Sequence, residues 1–118
     1  MNYFEYKEFD SPDLPNSGKL YMDEQFMELL DHARAIAGIP FKINSAYRSI
    51  EINKKAGGKI NSAHLVGKAA DISCTDSRSR HIILSSLLDA GFNRIGIGAT
   101  FIHVDSSNSK DSNVIWTY

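Results

Sequence analysis

His64 and Asp71 stand seven positions apart in the run Ser62-Ala63-His64-Leu65-Val66-Gly67-Lys68-Ala69-Ala70-Asp71, and about thirty residues later His103 sits in Phe101-Ile102-His103-Val104-Asp105. Two imidazoles and one carboxylate are the donor set of a catalytic zinc site that keeps a fourth position open for water. If the three side chains converge, the protein is a metal-dependent hydrolase. Asp71 begins a run of otherwise small or apolar residues, where a carboxylate is costly to bury unless something pairs with it. A metal would do so. Spacing by itself leaves a plainer reading open, because a His and an Asp seven apart recur by chance and a strand histidine is more often structural than a ligand.

These residues need elements to hold them. Asp23 can cap a helix running to Ala37, with Phe26, Leu29, Leu30, Ala33, Ile36 and Ala37 on one face and Gly38 as its stop. Pro40 opens a strand in which Phe41, Ile43 and Ser45 alternate with Lys42 and Asn44. Ser49 to Ala56 reads as a short helix ended by Gly57-Gly58, Lys59 to Gly67 as a loop, and Ala69 to Cys74 as a strand. Arg78 to Ala90 reads as a helix with Ile82, Ile83, Leu87 and Leu88 inward. Ile95–Ile97 and Phe101–Asp105 make two strands joined at Gly98-Ala99-Thr100, and Val114 to Tyr118 adds an edge strand. Residues 1–20, with Pro12, Pro15 and Gly18, read as an irregular lead-in. Helices around a small antiparallel sheet give an α+β class, with residues 1–118 as one domain. Strand alternation puts Phe101, His103 and Asp105 on one face and Ile102 and Val104 in the core.

Composition narrows the function classes. The chain has 118 residues, 42% hydrophobic and 23% charged, with 13 basic against 14 acidic side chains and a net charge of −1. That balance advertises neither nucleic-acid nor anionic-membrane binding. Cys74 is the single cysteine, so no intrachain disulfide can form, and its apolar surroundings read as core. The N-terminus is too charged for a signal peptide and no apolar run approaches a membrane span. Synthesis in the cytoplasm, no membrane insertion and a monomer are expected.

The motif Ser62-x-His64-x-x-Gly67-x-Ala69-x-Asp71 resembles the signature of the zinc D-Ala-D-Ala carboxypeptidase family, which also holds the vancomycin-resistance D,D-dipeptidases and phage L-alanyl-D-glutamate endolysins. Asn44-Ser45-Ala46-Tyr47-Arg48-Ser49 resembles the family's Ser-Gly-Tyr-Arg segment, with Ala46 in place of Gly. Asn53 and Gly57-Gly58 match further positions, and Phe101 to Asp105 resembles the second histidine strand. The similarity is greatest to the compact branch carried by phages and bacteria. It implies a hedgehog-like fold, one zinc ion held by His64, Asp71 and His103, and Arg48 and Ser62 facing substrate. Arg48 would hold a peptide carboxylate or stabilise a developing oxyanion, a task suited to its planar fork of donors.

One departure bears on mechanism. Many members of that family carry Glu or Asp three residues before the second histidine as general base, and here that position is Thr100. Asp105 is the nearest carboxylate to the motif, either as the base or as a partner that orients a ligand histidine. Asp76 and Asp111 stay open as bases. The expected activity is a zinc metallopeptidase cutting the peptidoglycan stem peptide, as a D,D-carboxypeptidase or an L-Ala-D-Glu endopeptidase acting at the cell wall or periplasm. The alternative is a zinc-bearing binding module of the same fold without peptidase activity. Loops 57–63 and 106–113 are expected to build much of the pocket.

Overall fold

The computed structural model describes all 118 residues. Four helices, α1 (Ser17–Tyr21), α2 (Glu24–Ala37), α3 (Ile50–Lys55) and α4 (Ser77–Ala90), accompany five strands, β1 (Ile43–Ser45), β2 (Ala69–Ser73), β3 (Arg94–Ile97), β4 (Phe101–Asp105) and β5 (Val114–Thr117). The strands form one sheet in the order β1-β2-β4-β3-β5. The α+β class is as expected. Pairing is antiparallel except at the β3–β5 edge, which is parallel, so the sheet is mixed. Because β4 runs antiparallel to β3, it ends beside the start of β3, where a strand parallel to β3 must also begin, so no crossover over the sheet is needed. Here the chain leaves the end of β4 and returns through 106–113 to lie beside β3.

Local chemistry sets the helix limits. The Asp23 carboxylate accepts the Phe26 N–H at 2.9 Å and Gly38 closes α2. Asp76 caps α4 by accepting the Ser79 N–H at 2.8 Å, and Ser49 caps α3 through the Ile52 N–H at 3.2 Å. The core gathers Phe26, Met27, Leu30 and Ala33 of α2, Ile83 and Leu87 of α4, and Ala70, Ile72, Ile95, Ile102 and Val104 of the sheet. Two inward assignments are corrected: Ile36 and Leu88 are exposed, while Met27 and Ser86 are buried in their turns. Both errors lie one position from a residue that does face the core, the angular drift of a 3.6-residue repeat. The β1 pattern is also shorter than its alternation suggested, although Phe41 and Ala46 on either side are buried.

Residues 1–20 are more ordered than their composition suggests. A 3-10 turn spans Tyr6–Phe9, α1 follows, and Phe4 and Phe9 enter the core with their rings edge-to-face at 5.4 Å. The Asn2 and Tyr3 N–H groups donate to the two Asp31 oxygens at 2.9 and 2.8 Å, which fastens the N-terminus to α2. The stretch Lys59 to Gly67 likewise holds a 3-10 turn at Ala63–Val66.

Alternation divides the sheet into two faces. Ile72, Ile102, Val104 and Ile95 turn toward the helices. On the other face, strand register aligns one row across all five strands: Ser45 opposite Asp71, Asp71 opposite His103, His103 opposite Gly96, and Gly96 opposite Trp116. Asp71, His103 and Trp116 of that row line the floor of a cleft of about 790 Å³.

Candidate metal centre and cleft

His64 reaches the floor from the 3-10 turn. Its N–H donates to the Ser62 hydroxyl at 3.2 Å, and its carbonyl accepts the Arg48 N–H at 3.1 Å. Gly67 ends the turn at φ +72°, and a Cβ there would lie 2.1 Å from the Tyr21 carbonyl oxygen. Only glycine permits both that backbone and that approach. The His64 Nδ1–H donates to the Ala46 carbonyl at 2.6 Å, so the Nε2 lone pair faces the cleft.

Asp71 and His103 are direct cross-strand neighbours on β2 and β4. Asp71 Oδ1 lies 3.4 Å from His64 Nε2 and 2.9 Å from His103 Nδ1, and Asp71 Oδ2 accepts from Arg48 Nη2 at 3.2 Å. On its far side the His103 ring meets Asp105, with Nε2 2.7 Å from Oδ2. All three groups are at least nine-tenths buried. Burial pushes the Asp71 pKa up, but hydrogen bonds from His103 and His64 outweigh it and hold the carboxyl well below its usual range. For His103, burial disfavours the charged ring, yet the Asp105 and Asp71 carboxylates raise its pKa on balance. Asp105 shows the same contest: burial raises its pKa, and hydrogen bonds from His103 and Arg94 carry it down to about 2.

The donor atoms of His64, Asp71 and His103 all lie within 4.8 Å of one another. Zinc ligands at about 2.0–2.1 Å in a tetrahedron stand about 3.3 Å apart. The 2.9 and 3.4 Å separations at Asp71 Oδ1 suit that figure. The protonation pattern suits it too. With Nε2–H donated to Asp105, His103 Nδ1 turns a lone pair toward a carboxylate oxygen. A proton or a cation between them removes the repulsion. Chemistry and spacing of the donors thus fit zinc.

The other expected residues fall as follows. Arg48 lines the cleft with three of its five N–H donors engaged, by Ser45 Oγ at 2.9 Å, Asn53 Oδ1 at 3.3 Å and Asp71 Oδ2. The others are free for a ligand. Ser62 lines the cleft while its hydroxyl caps the His64 turn. Asp105 is 2% exposed and both its oxygens are occupied, Oδ2 by His103 and Oδ1 by Arg94 Nε at 2.7 Å and the Ser107 N–H at 3.1 Å. Thr100 is exposed in its turn, and neither Asp76 nor Asp111 lines the cleft. Loops 57–63 and 106–113 both contribute to the walls.

Sequence reading missed Arg94, Trp116 and Tyr118, which also line the cleft. Trp116 places its ring 5.6 Å from that of His103, and Tyr118 packs on Phe101 at 5.0 Å. Gly96 makes this wall feasible: a Cβ there would lie 2.6 Å from the Trp116 indole nitrogen and 2.9 Å from the Tyr118 ring. Arg94 and Gly96 alternate with the apolar Ile95 and Ile97, a signal that both face away from the core.

A sheet that buries one face under helices and carries Asp71 and His103 on the other, with His64 brought over them by a 3-10 turn, sets out a donor group that could hold a metal ion. Residues 2–105 match the family described as Peptidase M15, and the chain belongs to that family, the zinc D-Ala-D-Ala carboxypeptidase family with its hedgehog-like fold. Membership supports a metallopeptidase acting on peptidoglycan. The match ends at Asp105, so loop 106–113 and β5 lie beyond it. No curated protein matches the chain. No helix is long and apolar enough to cross a membrane.

Proposed function

We propose that the protein is a zinc peptidase that hydrolyses one bond of the peptidoglycan stem peptide, with His64, Asp71 and His103 as the zinc ligands. The observation that carries this reading is the three-residue donor group on the floor of an open cleft in a Peptidase M15 chain. The chemistry zinc supplies in such a site is Lewis acidity, which lets water ionise near pH 7 and polarises a carbonyl.

The chain's own residues do the rest. Ala46 fixes the tautomer of His64, and Asp105 fixes that of His103, so each ring offers one defined lone pair. Arg48 holds the second Asp71 oxygen and turns its free donors toward a substrate carboxylate or an oxyanion. Ser62 shapes the His64 turn at the substrate groove. Arg48, Arg94, Lys59 and Lys110 line the cleft against two carboxylates, Asp71 and Asp105. Such a surplus of positive charge suits an acidic stem peptide. Full occupation of Asp105 favours the orienting role over that of base.

The same occupation supports a second reading, a zinc-bearing binding module without peptidase activity, because no cleft carboxylate is left free. One experiment decides. Purified sacculi are incubated with zinc-loaded and with chelated protein, and the muropeptides are resolved by mass spectrometry. Zinc-dependent loss of D-Ala marks a D,D-carboxypeptidase. Cleavage between L-Ala and D-Glu marks the endopeptidase. Binding to sacculi without new products leaves the module, and no binding at all rejects both readings.

A further inference from the structure

The two cleft carboxylates are clamped in the same way. Each turns one oxygen to an imidazole and the other to an arginine, and each arginine reaches on to a rim loop. On one side Arg48 holds Asp71 and bonds Asn53, whose Nδ2 donates to the Lys59 carbonyl at 2.9 Å. On the other, Arg94 holds Asp105 through Nε at 2.7 Å, and its Nη1 donates to the Asp111 carbonyl. Arg94 is 7% exposed, and its guanidinium carbon sits 5.0 Å from the centre of the Trp116 ring.

We infer that Arg94 is a positioning residue that sets the orientation of His103 through Asp105 and, by the same guanidinium, the height of loop 106–113 over the cleft. The inference rests on the zinc-peptidase reading of the site. Three contacts carry it. Asp105 cannot rotate away from His103 while its other oxygen is held by Arg94. The loop that carries Lys110 is tied to the same side chain at Asp111. Trp116, the wall beside His103, lies against the same guanidinium. A buried arginine that only neutralised Asp105 would need none of the second and third contacts. The Asp111 and Trp116 partners lie beyond the residues that match the family, so this clamp links the matched part of the site to the chain's own rim.

Two substitutions separate the roles. Arg94→Met removes charge and donors at similar length. Arg94→Lys keeps a charge able to reach Asp105 but cannot hold Asp105 and the Asp111 carbonyl together. Zinc affinity is measured by chelator competition, the folded fraction by thermal unfolding of the metal-free protein, and kcat and KM on a muropeptide that the wild type cleaves. Arg94→Met is expected to bind zinc about 10–100-fold more weakly. Arg94→Lys should return zinc affinity and kcat to within a few-fold of wild type while KM stays raised several-fold. Wild-type zinc affinity in folded Arg94→Met overturns the inference, as does a wild-type KM in Arg94→Lys. If Arg94→Met does not fold, Arg94→Lys alone decides by the same split. A wild-type protein that binds zinc without cleaving muropeptides would reject the peptidase reading but not this one. The zinc arm would then still judge Arg94, with muropeptide Kd in place of KM.

Discussion

At the scale of single residues, Asp105 has the most to decide. Its side chain joins His103, a proposed zinc ligand, to a buried arginine and has no oxygen to spare. Asp105→Asn keeps the size but replaces one acceptor with a donor, so the amide cannot serve both His103 Nε2–H and Arg94. Zinc affinity is expected to fall about 10–100-fold, as for the loss of a carboxylate behind a ligand histidine. Activity at saturating zinc should recover much of the loss. Chelator competition and turnover across a zinc titration measure the two effects. Unchanged zinc binding with turnover down about 10²–10⁴-fold would instead make Asp105 the base. Residue type and strand alternation made His64, Asp71, His103 and Asp105 candidates in the sequence, and the family resemblance then singled out the first three as expected ligands. Arg94 could not be picked out, because one arginine ahead of an apolar strand reads as a solvated charge until its partners, eleven and seventeen residues away, are known.

At the scale of elements, β3 and β5 make the aromatic wall, and Gly96 is where they meet. Gly96→Ala would push a methyl group into the Trp116 and Tyr118 rings. Those rings belong to the edge strand and have solvent beside them, so they should yield rather than unfold the sheet. The expected outcome is zinc affinity within a few-fold of wild type and kcat/KM lowered about tenfold or more. Paired zinc-competition and muropeptide assays check it, and unchanged kcat/KM would remove the wall from substrate recognition. Helices α2 and α4 were legible because their apolar stripes and caps lie within a few residues of each other. The parallel placing of β5 was not, since an edge strand's partner is settled by a choice of sheet edge that leaves no trace in its own alternation. The lead-in was missed for a related reason. Phe4 and Phe9 are core residues in a segment too short and too rich in Pro, Gly and Ser to show a period.

At the scale of the molecule, helices α2 and α4 and the cleft occupy opposite faces of one sheet. Most contacts of the proposed metal residues run sideways along the floor, and the exception is the His64 bond to the carbonyl of Ala46, a core residue. The central pair of strands joins the two faces. Asp71 and His103, thirty-two residues apart in the chain, are neighbours on β2 and β4 in the middle of the sheet order. An ion shared by them would act as a cross-strand rivet, released only when those two strands part. Amide hydrogen exchange should report this directly. On adding zinc, protection should rise most for the amides of β2 and β4, by RT ln(1 + [Zn]/Kd) when opening breaks the site, or about 2.7 kcal/mol at a hundredfold excess over Kd. The amides of β5 should change little, since that edge can fray while the rivet stays in place. Equal slowing in all five strands would mean that the sheet opens only as a whole.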